Sequence, residues 1–488
     1  MISFYLFPAG FREINEIIKS LKTNTSPGMD QMHARIFGDS HDCWTYSITN
    51  LINSIIDRGF LPDSFSESIV LPIYKGGGDI NDMSNYRPIT ILNSLTKIFD
   101  KFLTRRIYSF IEKYGLLHPN QYGFRTNRNT EMALEQIIDT VTKRADTGQV
   151  VAILAFDLKK AFDSLNHSIL LGKCFSLGLR GNILDLISRF IKDRKQWVRI
   201  GDVLSHDMTC TVGIPQGSSL GPLLFNIYFD SVLHNVEEGI VRIAFADDLT
   251  IVIANSSREG LEANIRAVYN DVNAWVQAHM LRINTLKTKI MFVNTSVGIM
   301  GSQSITTEFS INLDTVIEIV ESMRILGVEV DSRLRFDYYV RKLICKLNPL
   351  IGGMFRKGHL IDKSLKINIY KNIILNKLNY ASRIWIPNVS KTDRKNLKRI
   401  NKRALKLLNR GASVISTKFR YNLWDIDQLA MYSGIINTKK QIINKNIGYT
   451  GLISHRSSSY IKFILPRHSK NFYKKSPTYR PRAIYAFN

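Results

Sequence analysis

The chain has 488 residues, with 66 Lys and Arg against 41 Asp and Glu and a formal charge of +25. That length holds several domains of roughly 100–200 residues, and 44% apolar with 22% charged residues describes a folded protein, which excludes wholesale disorder. No apolar run approaches the ~18 uncharged residues of a membrane span, residues 1–10 lack the basic start of a signal peptide, and Cys43, Cys174, Cys210 and Cys345 are too scattered for a disulfide scaffold or a zinc knuckle.

In chain order, Arg12–Thr23 has helical spacing (Ile14, Ile17, Ile18, Leu21) and is expected to stop at the turn Ser26-Pro27-Gly28. Ser68–Tyr74 reads as a strand followed by a polar loop from Lys75 to Asn85, and Pro88–Ile111 as a helix with Leu95, Ile98, Phe99 and Phe102 on one face. Val150–Phe156 is a nearly continuous apolar run of strand length, the pattern of a strand buried on both faces. Gly213–Ser219 is a loop in which Ser218 or Ser219 can cap the following helix, and Val241–Ala254 is a hairpin hinged at Ala246-Asp247-Asp248. Strands interleave with helices from about 150 to 330, an α+β or α/β sheet domain, and beyond 335 the pattern is almost wholly helical.

Charge follows the same division. Residues 1–334 sum to −3 and residues 335–488 to +28, a distribution that favours contact with nucleic acid over a merely solvated basic surface, with a membrane surface as the weaker third reading. Within the basic part, Lys391, Arg394, Lys395, Lys398, Arg399, Lys402, Arg403, Lys406 and Arg410 follow i, i+3/i+4 spacing, with Leu397, Ile400, Ala404, Leu405 and Leu408 on another face.

Three acidic positions bear on chemistry. Asp157 directly follows the buried strand, and Asp247-Asp248 sit at the hairpin tip. A carboxylate at the end of an apolar strand is costly unless something cationic satisfies it. If the two strands lie side by side, hard oxygen ligands without His or Cys suit Mg²⁺, or Mn²⁺, better than zinc. Taken singly, Asp-Asp also suits a turn and Asp157 a helix cap.

The motifs in order, Phe156-Asp-Leu-Lys-Lys-Ala-Phe-Asp163, Gly213-Ile-Pro-Gln-Gly-Ser-Ser-Leu-Gly-Pro222 and Phe245-Ala-Asp-Asp248, resemble the palm of reverse transcriptases of non-LTR, jockey-like retrotransposons. Ser26–Asp30, Asn85–Ile89, Gln121–Arg125, Asn284–Lys289 and Leu326–Val328 agree, so the resemblance runs from about residue 11 to 410. It implies an α+β right-hand polymerase fold: fingers over 1–150, a palm with interleaved fingers elements over 151–334, a helical thumb over 335–410 and a basic C-terminal region over 411–488. The activity implied is RNA-directed DNA polymerisation from a primer 3′-hydroxyl, with an RNA template, a DNA primer or target and deoxynucleoside triphosphates as partners, and two Mg²⁺ ions.

Residue by residue, Asp157 and Asp247 match the metal-binding aspartates, Asp248 the auxiliary one, and the backbone carbonyl of Leu158 a further ligand. Phe162 matches the aromatic gate that excludes a 2′-hydroxyl, and Gln216 with Gly217 the residues that approach the nucleotide sugar and brace the template. Lys75 and Arg87 fall where the fingers supply cations to the triphosphate. Lys287, with Lys289 a close competitor, matches a proton donor to pyrophosphate, and Arg125 a contact to template phosphate. Asp30 and Asp163 also lie in motif blocks, where local capping explains them as well. The basic stripe, with Lys395, Lys398, Arg399, Lys402 and Arg403 at its centre, would follow duplex phosphates in a thumb. The first motif begins about 20 residues into the chain, which leads us to expect a polymerase without the endonuclease of full-length elements. The location expected is intracellular, with the nucleus as the place of integration. An intron-type reverse transcriptase with maturase function and an inactive RNA-binding remnant are the rival readings; Phe245, where intron enzymes commonly have Tyr, speaks against the first.

Overall fold

A computed structural model of the chain describes residues 2–39, 41–234, 236–293, 307–408, 413–421 and 423. Its strands, in chain order, are β1 (Glu67–Tyr74), β2 (Tyr86–Leu92), β3 (Val150–Phe156), β4 (Arg194–Ile200), β5 (Val203–Leu204), β6 (Met208–Cys210), β7 (Ile240–Phe245), β8 (Asp248–Asn255), β9 (Lys289–Val293), β10 (Glu308–Ser310), β11 (Val316–Ile319), β12 (Ser322–Ile325) and β13 (Val328–Asp331). They form a six-stranded sheet of order β10-β11-β9-β3-β8-β7, a five-stranded sheet in which β6 joins the path β2-β1-β4-β5, and the separate hairpin β12-β13.

The six-stranded sheet is the centre of the molecule because β3 has no face left for water. Side chains alternate across a strand, so Ala152, Leu154 and Phe156 enter one core with Leu249, Ile251 and Ile253 of β8. Val151 and Ile153 enter the other, with Val252 of β8 and Met291 of β9. The first core is completed by the N-terminal helices and by helices Ser94–Tyr114, Leu220–Phe229 and Arg258–Ala278. The second takes in helix Thr130–Asp146, the β12-β13 hairpin, and the helical region built on Asp337–Lys357 and Lys391–Leu408. Each fully buried Leu or Ile contributes about 1.5–3 kcal/mol, so both faces hold β3 in register.

Several expected elements move. The first helix is Phe11–Lys19. The segment expected to be one helix over Pro88–Ile111 is a strand and a helix: Pro88, Ile89, Thr90 and Ile91 pair antiparallel with β1, and the helix begins at Ser94. Proline disfavours helix in the residue before it, and branched side chains suit the pleat. Val150–Phe156 and the hairpin fold as expected, except that the turn is Ala246-Asp247 and Asp248 is already the first residue of β8. From Asp337 onward the described residues are helical or in short connections. Of the basic C-terminal region only 413–421 and 423 are described; Arg410 lies outside the described residues. No helix among the described residues is long and apolar enough to cross a membrane.

Candidate active site

The site lies where β3 ends beside the β7-β8 turn. The antiparallel register places Phe156 opposite Leu249 and Ala155 opposite Thr250, so continuing it by one residue sets Asp157 against Asp248. Asp247 occupies the turn between Phe245 and Asp248, which pair with each other. The two sequence-distant acidic motifs therefore meet at one end of one sheet.

Asp157 is held by the loop that precedes β9. Asn284 donates its backbone N–H to the Asp157 carbonyl at 2.8 Å and its side-chain Nδ2 to Asp157 Oδ2 at 2.9 Å. The next residue pair continues this short ladder: Leu158 bridges Ile283, and the Lys159 N–H donates to Arg282 O at 2.9 Å. Bonds at 157 and 159 leave Leu158 in the non-bonded position, where its own N–H and C=O face away from that neighbour. The Leu158 carbonyl consequently has no protein donor among the described residues, whereas that of Asp157 is taken.

Electrostatics separate these carboxyls from ordinary surface acids. Burial pushes Asp247 up from the usual carboxylate range, and the neighbouring charge of Asp157 adds to it. Asp248 stands further out, yet the surrounding protein desolvates it and the charges of Asp247 and Asp157 push it up to about 6. Like charges gathered in a half-buried cleft are stabilised by a cation. The donor chemistry, carboxylate oxygens beside an uncommitted backbone carbonyl, fits a hard divalent ion. Among the described residues no three acidic, His or Cys side chains converge as a closed cage, so the fit is to an open site that substrate oxygens would complete.

The surrounding residues are fixed by tertiary contacts. Phe162, in the short 3₁₀ turn Ala161–Asp163, is half-buried; its ring stacks on Phe225 at 4.4 Å and meets the edge of Phe124 at 6.0 Å. The Gln216 amide donates to Asp163 Oδ1 at 2.8 Å, and its backbone carbonyl accepts from Thr90 N–H of β2 at 2.6 Å. Gly217 has φ of +132°, and a Cβ there would stand 2.3 Å from the Thr90 carbonyl, so this loop lies against the five-stranded sheet only because position 217 has no side chain.

The cations divide into offered and committed ones. The Arg87 side chain is exposed on β2 and makes no ion pair or hydrogen bond among the described residues, while Lys75 Nζ donates to Ser84 O at 2.7 Å. The charges of Lys75 and Lys160 both act on Asp82 and Asp163, which brings the loop after β1 opposite the segment after β3. Lys287 is exposed on the loop that holds Asp157, whereas Lys289 pairs with Glu318 at 3.0 Å. Arg125 is a correction. Its guanidinium, 4% exposed, forks onto Glu112 at 2.8 and 3.1 Å and donates to His118 O, so it braces the protein and is not presented to a template phosphate. Lys395, Lys398, Arg399, Lys402 and Arg403 all stand exposed on helix Lys391–Leu408, opposite the buried Leu397, Ile400, Ala404 and Leu405.

Other residues serve the site from a distance, and of these the sequence reading passed over Asp100. Asp100, buried in helix Ser94–Tyr114, accepts from the N–H of Ser219 at 2.5 Å and of Leu220 at 2.9 Å, capping helix Leu220–Phe229 together with Ser218 Oγ on Gly221 N–H. Asp30 accepts from Ser94 N–H at 2.9 Å in the same manner. Asp100 sits on the apolar face marked by Ile98, Phe99 and Phe102, and that break in the pattern is the one local signal it gives.

The reverse transcriptase (RNA-dependent DNA polymerase) family model matches residues 73–330, which include both strands bearing the acidic residues. The chain is similar to the RNA-directed DNA polymerase from mobile element jockey of Drosophila melanogaster, 23% identical over 394 residues, covering 79% of this chain and 42% of that protein. The jockey counterpart of Drosophila funebris is 26% identical over 392 residues, covering 78% and 41%. This chain thus spans about two fifths of the length of these relatives. Among solved structures, Candida tropicalis telomerase with a fragment of telomeric RNA is similar with a TM-score of 0.41 and 13% identity, covering 87% of this chain and 68% of that chain. The family match takes in more than half of the residues and the whole sheet end where Asp157 meets Asp247 and Asp248: the chain belongs to the reverse transcriptase family, of the jockey-like, non-LTR retrotransposon kind.

Proposed function

We propose that the chain is an RNA-directed DNA polymerase that extends a primer 3′-hydroxyl along an RNA template in RNA-mediated transposition. The observation that carries this reading is the meeting of Asp157 with Asp247-Asp248 at one sheet end, beside the free carbonyl of Leu158. Asp157, Asp247 and the Leu158 carbonyl would hold Mg²⁺, with Asp248 in an auxiliary place; two such ions supply neutralisation of the charge that develops on the attacking and leaving oxygens.

The chain's own residues do the positioning. Phe162, backed by Phe225, offers a rigid ring that leaves no room for a 2′-hydroxyl, so deoxynucleotides are selected. Arg87 and Lys75 meet the triphosphate, Arg87 as the uncommitted fork and Lys75 as a point charge on the loop after β1. Gln216 and Gly217, anchored to Thr90, face the sugar and the template. Lys287 gives a proton to the leaving pyrophosphate; its rival Lys289 is held by Glu318. In this reading the fingers are residues 1–150, the palm 151–334 and the thumb 335–410, and the exposed stripe of helix Lys391–Leu408 follows phosphates without regard to sequence.

Primer extension on a poly(A) template tests the reading. Asp157→Asn or Asp247→Asn keeps the shape but removes charge from the ligand set, and extension should fall by several orders of magnitude while RNA binding survives. Near-normal extension by either variant sinks the proposal, and an inactive wild type that binds RNA favours the remnant reading.

A further inference from the structure

The turn that aims Asp247 is strained, and one buried amide outside the turn holds it. Ala246, the first residue of the two-residue turn, has φ of +56°, a left-handed conformation in which hairpins of this length favour Gly, Asn or Asp. Gln121, with 0% exposure, accepts from Ala246 N–H through Oε1 at 3.1 Å and reaches the Ala246 carbonyl through Nε2 at 3.4 Å. The same Oε1 accepts from Gly123 N–H at 2.9 Å. The side-chain amide thus treats Ala246 as a neighbouring strand would, binding both its donor and its acceptor.

The backbone around Gln121 is fixed to the same hairpin. Ala244 N–H donates to Asn120 O at 3.0 Å and Tyr122 N–H to Ala244 O at 2.8 Å, so 120–122 runs beside β7 in a parallel bridge. Gly123 lies so close that a Cβ on it would stand 2.2 Å from Ala246 N, and Asn226 Nδ2 holds the Gly123 carbonyl at 2.9 Å. No charge is involved, and Gln121 touches neither Asp157 nor Asp247 by hydrogen bond.

We infer that Gln121 is a positioning residue for the carboxylate turn: its amide keeps Ala246 in the left-handed conformation and thereby sets where Asp247 stands. The role rests on the polymerase reading for its effect on turnover, and on geometry alone for its effect on the turn. Removing the acceptor orphans the buried N–H groups of Ala246 and Gly123, and the turn is then free to relax toward the negative φ that alanine prefers.

Hydrogen–deuterium exchange of the metal-free full chain, resolved to single amides, reads the turn directly, and primer extension reads turnover. Gln121→Met fills the same space without polar atoms. It should raise exchange at Ala246 by roughly ten-fold or more, leave Ile251–Ile253 of β8 at the wild-type rate, and lower kcat at least ten-fold with little change in nucleotide KM. Adding Ala246→Gly, which accepts positive φ without strain, should restore much of that kcat; a side chain that only fills space predicts no rescue. Gln121→Glu keeps the Oε1 acceptor and should keep Ala246 protected, and this arm decides the matter should Gln121→Met fail to fold. Exchange at Ala246 within two-fold of wild type in Gln121→Met, a rise spread equally over β3 and β8, or lost protection in Gln121→Glu each overturns the inference. A wild type that cannot extend a primer would overturn the polymerase reading alone, because exchange still reports on the turn.

Discussion

Asp100 offers a test in which the structure supplies both sign and size. Its carboxylate lies fully inside the protein, where it accepts the N–H groups of Ser219 and Leu220 and so ties the loop carrying Gln216 and Gly217 to helix Ser94–Tyr114. Burial pushes it up from 3.8 to about 6, although the two backbone donors pull the other way. A folded-state value above the unfolded one means that the native state binds the proton more tightly. The stability from this group is therefore fully present below about pH 4 and is lost as pH rises through about 6. At 1.36 kcal/mol for each factor of ten, the loss is about 3 kcal/mol. Asp100→Asn cannot ionise, so the wild type should lose up to about 3 kcal/mol relative to this variant between pH 4 and pH 7, with no further change above. Urea unfolding of both proteins across that range, followed by tryptophan fluorescence, measures the difference. A difference that stays flat, or that moves in the wild type's favour as pH rises, refutes the reasoning. Asp100→Ala supplies the companion value at fixed pH, roughly 1–3 kcal/mol for each donor left without its acceptor.

Two further outcomes are expected. Phe162→Val should admit ribonucleotides far better while retaining deoxynucleotide incorporation, measured by single-nucleotide extension; unchanged discrimination would leave Phe162 as a packing partner of Phe225 only. Neutralising Lys398, Arg399, Lys402 and Arg403 should weaken template–primer binding and flatten its log-salt dependence by up to about 0.7–0.9 per lost phosphate contact, and an unaltered slope would mean that the stripe meets no phosphate.

Local patterns carried a definite part of this protein. The apolar run Val150–Phe156 specifies a strand covered on both faces, the break at Ala246-Asp247-Asp248 specifies a hairpin, and the alternation of Lys and Arg with Leu and Ile specifies the helix Lys391–Leu408. Each depends on periodicity over neighbouring residues, which the backbone turns directly into a face or an edge. The ordered acidic motifs likewise singled out Asp157, Asp247 and Asp248, and the structure brings these three together at one sheet end. The tertiary structure decided the partners. Pro88–Leu92 became a strand because β1 was there to pair with it, and Arg125 turned inward because Glu112 and the His118 carbonyl met its guanidinium. Asp100 reaches Ser219, Asp30 reaches Ser94 and Gln121 reaches Ala246 across 119, 64 and 125 positions of the chain. A side chain's type states what it can donate or accept, but its partner is set by which distant segment the packed cores bring within about 3 Å. Inside those cores an unanswered polar group is too costly to leave.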